Sequence, residues 1–586
     1  MWQGWGQRGI ILLLTILVLL PLGVVAGELL NPTRDIWAHL WATLLPIMLR
    51  NTLLLVLGVG AGTFMLGTGL AWLVTAYRFA GQRLFDWALL LPLALPGYIL
   101  AFVFIATFDF VGPVQSMLRA WFGPEVWFPN IYTGWSAVLV LTLTLYPYVY
   151  LLARTAFRAQ SAHTFDAARI LGLNRTQTFF RLVLPLARPA LVAGAALAMM
   201  EALGDFATVR FFAYPTLSEG VFRVWEGMMN RAAAMELAAL LCGVALLLLV
   251  LERALRGPAR YTQTGGEAPR PVPVVLHGWS GWLATAGCGL VLAVAFVLPT
   301  LQLTLWTLDE LVRQGPGGTL NVAFQRYMIT TTTLAILAAL VALVWALLLA
   351  HSVRLSGGRL ARLGARLATL GYAMPGAVIG VGVLLTMTAL DGLAREWGLI
   401  SGLLLTGSVA GLIYAYVVRF LAVAHSSVDA GLETVTPTLE QAARNLGAGP
   451  FRVLRRIHLP LISRGLFTAA TLVFVDVMKE LPITLLLRPF GMDTLAIWAY
   501  LLAAEGFWEA AAVPALSILV AGMLPVLILV RLSGDTPRSQ VETFSRDRRG
   551  MRSVGSAAVA VPTQHFPQWD GRRTRRSASL RQRVST

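Results

Sequence analysis

Twelve apolar runs dominate this sequence, centred near residues 18, 64, 97, 144, 200, 241, 293, 342, 378, 411, 476 and 520. Each supplies the roughly 20 mostly apolar residues that a helix needs to cross a bilayer. Lipid offers no hydrogen-bond partner to an open backbone, so runs of this length fold as helices. Only 13% of the 586 residues are charged, against about 25% in a soluble domain. The chain therefore reads as an all-α, polytopic membrane protein. The first run begins after Arg8 with no convincing cleavage pattern, which marks a retained helix and not a removed signal. The net charge of +17 comes from arginines between and after the apolar runs. There they act as topology signals facing anionic lipid, and nucleic acid is not an expected partner. Cys242 and Cys288 lie inside apolar runs and the seven histidines are scattered, so neither a disulfide framework nor a metal site is expected.

Arginine also sets the orientation. Arg-rich loops follow the second, fourth, eighth and tenth runs, while acids balance the loops between, with Arg34 beside Asp35 and Arg395 beside Glu396. This arrangement puts both termini in the cytoplasm. Residues 253–280, rich in Gly, Pro and charge, read as a cytoplasmic linker, and the basic tail over 531–586 reads as disordered. The linker separates a first half, 1–252, from a second, 281–530, with six runs in each. An even number of spans gives both halves one orientation, hence a parallel repeat about an axis along the membrane normal.

One polar island occurs in each half. Residues 164–185 read TFDAARILGLNRTQTFFRLVLP and residues 439–460 read LEQAARNLGAGPFRVLRRIHLP, inside the loops 154–188 and 425–464. An Ala pair (Ala167 and Ala168, or Ala442 and Ala443) precedes Leu-Gly (Gly172 or Gly447), and a proline (Pro185 or Pro460) follows 13 residues after the glycine. Thr164 or Thr438 is expected to cap a short helix whose first turn holds Asp166 or Glu440, where the helix dipole favours an acid. The Ala pair lets another surface approach closely, and the glycine stops the helix in a left-handed conformation. A second amphipathic helix runs on until the proline ends it. The product is a rigid two-helix elbow with no nucleophile and base. His163 and His458 read as solvated loop residues.

This pattern resembles the "EAA" loop of ATP-binding-cassette importer permeases, with Asp166 and Gln441 at the acid position and Glu440 one residue earlier. Residues 51–73, 91–115, 202–212 and 478–500 are similar to the fused two-half permeases of ferric-iron importers, and the likeness runs from about 50 to 530. The resemblance implies the type I importer permease fold in a bacterial inner membrane, with about twelve helices in two parallel halves. It implies a homodimeric cytoplasmic ATPase, carrying the ATP and Mg, seated on Asp166, Ala167, Ala168, Gly172, Pro185, Glu440, Gln441, Ala442, Ala443, Gly447 and Pro460. It implies a periplasmic binding protein that delivers ferric iron, although thiamine or another small solute uses the same architecture. On this reading the chain is no enzyme and binds no cofactor; indeed it has no G-x-x-x-x-G-K-[ST] string. A reading of another class is a twelve-span carrier driven by an ion gradient, which also has a parallel repeat. The acidic-basic loop signature of such carriers is not evident in AYRFAGQRLF at 76–85.

Glu201 and Asp205 fall within the fifth apolar run, and Lys479 and Glu480 within the eleventh. Intramembrane charge is costly and faces a protein interior or a water-filled path. These residues either line the substrate route or form ion pairs, such as Lys479 with Glu201 or Asp205 across the halves. Pro96 with Gly97 and Pro375 with Gly376 read as hinges or as static kinks. Ferric iron prefers oxygen ligands, and no dense carboxylate or Tyr group is visible in the sequence. The resemblance implies that the binding protein holds the ion and passes it to a transient cavity.

Overall fold

The computed structural model of the protein describes residues 3–28, 34–228, 230–256, 273–399, 401–433 and 435–533. Most of the linker and the tail beyond 533 lie outside these residues. Among the described residues eleven helices are long and apolar enough to cross a membrane, and twelve when the pair Phe451–Leu461 and Gly465–Met478, bent by 78°, is counted as one span. The first half contributes α1 (Gln3–Glu28), α2 (Leu45–Ala76), α3 (Gly97–Phe108) and α4 (Gly134–Arg158). The short α5 (Ala162–Ile170) follows, then α6 (Leu184–Gly204), α7 (Ala207–Phe211) and α8 (Arg231–Arg256). The second half contributes α9 (Trp279–Leu292), α10 (Val322–Ser356), α11 (Gly376–Glu396), α12 (Val409–Glu433), α13 (Pro437–Asn445), α14 (Ser463–Met478), α15 (Pro482–Leu487) and α16 (Trp508–Ser533).

The parallel repeat is written in hydrogen bonds. Thr52 Oγ1 accepts the Leu217 N–H at 2.9 Å, and Thr331 Oγ1 accepts the Leu495 N–H at 2.9 Å. Thr216 and Thr494 cap the helices Leu217–Phe222 and Leu495–Ala504 in the same way. Small residues let the spans approach closely, as bilayer packing requires. A Cβ on Gly67 would meet the Tyr146 carbonyl oxygen at 2.9 Å, and one on Gly194 would meet Val149 Cα at 2.8 Å. Those two glycines seat α2 and α6 against α4.

The apolar runs near 97 and 378 are placed differently from expectation. Pro96 and Pro375 stand just before helices that begin at Gly97 and Gly376, each preceded by a 3-10 turn (Leu91–Ala94 and Leu370–Ala373). Neither proline breaks a helix from within, so the kinked spans expected at these sites are corrected to helix starts. An extended ψ of 146° at Pro96 and 141° at Pro375 turns the chain into the helix, which suits a residue that lacks an N–H to donate.

The halves exchange their leading helices. Helix α1 packs on α10 and α11 of the second half. Thr15 Oγ1 donates to the Gly364 carbonyl at 3.1 Å, and Tyr414 donates its hydroxyl to Leu17. Helix α9 packs instead against Gln82–Ala88 of the first half, where Thr285 Oγ1 donates to the Ala80 carbonyl at 2.9 Å. Just ahead of it β2 (Val274–Val275) pairs in parallel with β1 (Tyr77–Arg78). The boundaries at 252 and 281 thus divide the sequence but not the packing, because hydropathy marks a span without naming its neighbours. A Cβ on Gly382 would lie 2.5 Å from the Pro21 carbonyl oxygen. Gly382→Val is therefore expected to push α1 off α11, read as a lower melting temperature of the detergent-solubilised protein.

Candidate functional site

Each elbow is built by the same helix stop. Helix α5 ends at Gly172, whose φ is 72°, and the Leu173 N–H reaches back to the Ala168 carbonyl at 3.0 Å. Helix α13 ends at Gly447, whose φ is 79°, and the Ala448 N–H reaches the Ala443 carbonyl at 3.0 Å. The second alanine of each pair therefore accepts the bond that closes a Schellman turn. Six spans separate α5 from α13, which returns the chain to the same side of the bundle. Asp166, Gln441 and Ala442 are exposed, Ala443 is half-buried and Ala168 is buried. The side chains of Ala167 and His163 lie outside the described residues.

Several elbow expectations change. The helices begin at Ala162 and Pro437, so Thr164 and Thr438 sit inside the first turn and not at the cap. Their hydroxyls bond those of Ser161 and Thr436 at 3.1 and 3.0 Å. Asp166 falls in the middle of α5, one turn later than the dipole argument placed it. Pro185 and Pro460 are both exposed; Pro460 stands one residue before its helix ends at Leu461, ahead of the 78° bend, as expected, whereas Pro185 does not end a helix. In the first copy one helical span runs unbroken from Arg175 to Gly204. A π turn precedes each proline (Phe179–Val183 and Leu454–His458). Its wider ring relieves the helix of the hydrogen bond and the clash that proline otherwise imposes.

Glu440 and His458 point inward. His458 is fully buried, which corrects its reading as solvated, and its Nε2 lies 3.0 Å from Glu440 Oε1. Arg354 Nε donates to the same oxygen at 2.5 Å, and its terminal nitrogens donate to the Leu432 and Val435 carbonyls. His351 Nδ1 stands 3.1 Å from His458 Nδ1. The corresponding positions of the first elbow hold Phe165 and Val183, which pack apolar against the core. The first elbow is thus seated by hydrophobic contact and the second by a buried ionic clamp to α10. Glu440 is a tether and not a surface residue.

The intramembrane charges meet in one cavity of about 150 Å³ between the halves. It is lined by Glu201, Asp205, Asp476 and Glu480, by Arg419 and Lys479, and by Tyr98, Tyr148 and Tyr372. Asp205 and Glu480 hold matched posts as caps of α7 and α15. Asp205 accepts the Thr208 N–H and hydroxyl, both at 2.8 Å. Glu480 accepts the Ile483 N–H at 3.0 Å and the Thr484 N–H at 3.1 Å. Lys479 pairs with Asp476 at 2.9 Å, not with Glu201 or Asp205 as expected. The cation that crosses the halves is Arg419, 3.7 Å from Glu201 and 3.6 Å from Glu480. Gly97 lines this chamber, and Gly376 packs closely against the side chains of Arg419 and Glu480. A Cβ on Gly97 would sit 2.7 Å from Asp205 Oδ2, and one on Gly376 would sit 2.2 Å from Arg419 Nη1. The Pro-Gly pairs make room for charged side chains.

Arg419, Asp476 and the three tyrosines escaped the sequence reading. Two signals were present. Arg419 interrupts an apolar span, YAYVVRFLAVAH, where an unpaired cation is costly. Asp476 follows Glu201 by the same 275 residues that separate Asp205 from Glu480. The acids are therefore duplicated while the bases are not, since Thr144 and Gly204 occupy the places of Arg419 and Lys479. The expectation of no oxygen-rich group is corrected, because folding gathers four carboxylates and three phenols. Among the described residues the carboxylates are spent on helix-start hydrogen bonds and ion pairs, and no three acid, His or Cys groups stand close enough to hold a metal.

The family profile of the binding-protein-dependent transport system inner membrane component matches residues 63–255 and 315–536, one match in each half. An Fe(3+)-transport system permease protein of Haemophilus influenzae is 27% identical over 488 residues, spanning 82% of this chain and 89% of its own. A sulfate transport system permease protein of Salmonella typhimurium is 30% identical over 207 residues, 35% of this chain and 72% of its own. A molybdenum transport system permease protein of Escherichia coli is 33% identical over 146 residues, 25% of this chain and 62% of its own.

Proposed function

Because this chain belongs to the binding-protein-dependent inner membrane component family of ABC importers, in its fused two-half form, we propose that its cargo is ferric iron. The chain is a multi-pass inner-membrane transport subunit and not an enzyme, and its family works with a substrate-binding protein. In the proposed cycle the binding protein releases cargo into the chamber between the halves. A homodimeric ATPase, carrying ATP and Mg, docks on the two elbows from the cytoplasm, the side that also holds both termini. Asp166, Gln441, Ala442 and Gly447 offer it surface, while Glu440 and His458 keep the second elbow stiff. Nucleotide-driven closure then rocks the halves about the cavity.

The observation that carries the cargo assignment is charge. Four carboxylates face two fixed cations around the cavity, which favours a cation and opposes a sulfate or molybdate dianion. The iron relative also aligns over 82% of the chain, whereas the oxyanion relatives align over 35% and 25% of it. Hard oxygen groups suit ferric iron, and their engagement in caps and ion pairs keeps holding weak enough for release. The test is reconstitution of the chain with its ATPase and binding protein in liposomes. ATP-dependent accumulation of radioiron is expected. Accumulation of thiamine, sulfate or molybdate in its place would overturn the assignment, and uptake that follows a proton gradient without ATP would overturn the ATPase partnership.

A further inference from the structure

Arg419 is a bound cation that the sequence repeat does not require. Its side chain comes from α12 of the second half, and its guanidinium stands between a carboxylate of its own half, Glu480, and one of the other half, Glu201. Both separations, 3.6 and 3.7 Å, are those of ion pairs without a close hydrogen bond. Among the described residues its Nε and Nη1 are buried with no hydrogen-bond partner. A guanidinium held this loosely is unusual, since buried donors are nearly always satisfied. Its place is nonetheless built: Gly376 leaves the space that a Cβ would fill at 2.2 Å from Nη1. The halves touch at this point, where a Cβ on Gly204 would meet Pro375 Cα at 3.4 Å.

We propose that Arg419 is the latch between the two halves, a tethered cation that closes the cavity by bridging Glu201 to Glu480 and that a cationic cargo displaces. The inference rests on the importer reading and adds the residue that regulates it. In the closed state Arg419 occupies the two carboxylates that a cargo cation needs. An arriving polyvalent cation competes for them, frees the guanidinium and removes the ionic contact between α12 and α6. An anion would have to compete with Glu201 and Glu480 for the guanidinium against the repulsion of the four carboxylates around the cavity, so the latch also favours a cationic cargo. Long, unsaturated contacts are what such a latch needs, because a fully hydrogen-bonded Arg–carboxylate fork would be slow to open. Lys479, tied to Asp476 three residues away, stays within its own half and has no latching role.

The test uses the complete assembly in liposomes, with ATP hydrolysis measured with and without the iron-loaded binding protein. Two variants separate a latch from simple charge balance. Glu201→Gln cuts the cross-half arm and leaves Arg419 paired with Glu480. Arg419→Gln combined with Glu201→Gln removes the latch and leaves the net charge unchanged. For each, hydrolysis without the binding protein is expected to rise about ten-fold, within the usual range of coupling energies, and stimulation by the loaded protein to shrink. Arg419→Lys, which keeps the charge, is expected to restore part of the wild-type restraint. If both variants hydrolyse ATP at the wild-type basal rate with full stimulation, Arg419 merely balances charge and the proposal fails. A wild-type assembly that shows no stimulation by any binding protein would instead overturn the importer cycle itself.

Discussion

Gly371→Ala is expected to leave the protein unable to assemble a stable second half. Gly371 lies in the 3-10 turn that leads into α11, against α12. A Cβ there would stand 1.9 Å from the Val418 carbonyl oxygen and 2.8 Å from its carbon. Both obstacles are backbone, so no side-chain rotation relieves them. The turn has to leave α12, and the residues beside Val418, including Arg419, move with it. Overpacking of this kind costs about 3 kcal/mol, the upper end of its usual range. The melting temperature and the yield of folded protein in detergent are expected to drop sharply. A Gly371→Ala protein that melts like the wild type would show that α12 does not sit against this turn.

Glu440→Ala is expected to disconnect transport from hydrolysis without unfolding the bundle. The substitution leaves Arg354 and His458 facing each other where a carboxylate had joined them at 2.5 and 3.0 Å. Removing one partner of a largely buried pair costs about 3 kcal/mol, and here the cost falls on the attachment of α13 to α10. A loosened elbow no longer transmits force, so uptake is expected to fall at least about ten-fold. ATPase docking should weaken while the melting temperature changes little. Gln441→Ala, one residue on and exposed, is the control and should leave stability unchanged. Glu440→Gln keeps the acceptor oxygen and should recover part of the uptake. If Glu440→Ala transports normally, the clamp has no part in coupling.

The two elbows show what sequence reading sees and what it misses. Their glycine stops, Ala pairs and common side followed from spacing alone, because a left-handed helix end and an even count of spans are local or additive properties. Which way Glu440 faces was not local. Its partner Arg354 lies on another helix, 86 residues away in sequence. The cavity repeats that lesson. Glu201, Asp205, Lys479 and Glu480 were marked as costly in lipid. The partners of three of them, Asp476 for Lys479 and Arg419 for Glu201 and Glu480, lie in apolar runs whose length does not reveal the charges within them.

By itself the sequence determined that this is a duplicated bundle of membrane helices with matched elbows, since hydropathy and repeat spacing are summed along the chain. Only the tertiary structure decided that α1 and α9 cross to the opposite halves, that the Pro-Gly pairs start helices and seat charged side chains, and that Arg419 joins the halves. Helix packing and ion pairing depend on close distances between residues far apart in sequence, and in lipid they are set by which small residues allow two backbones to meet.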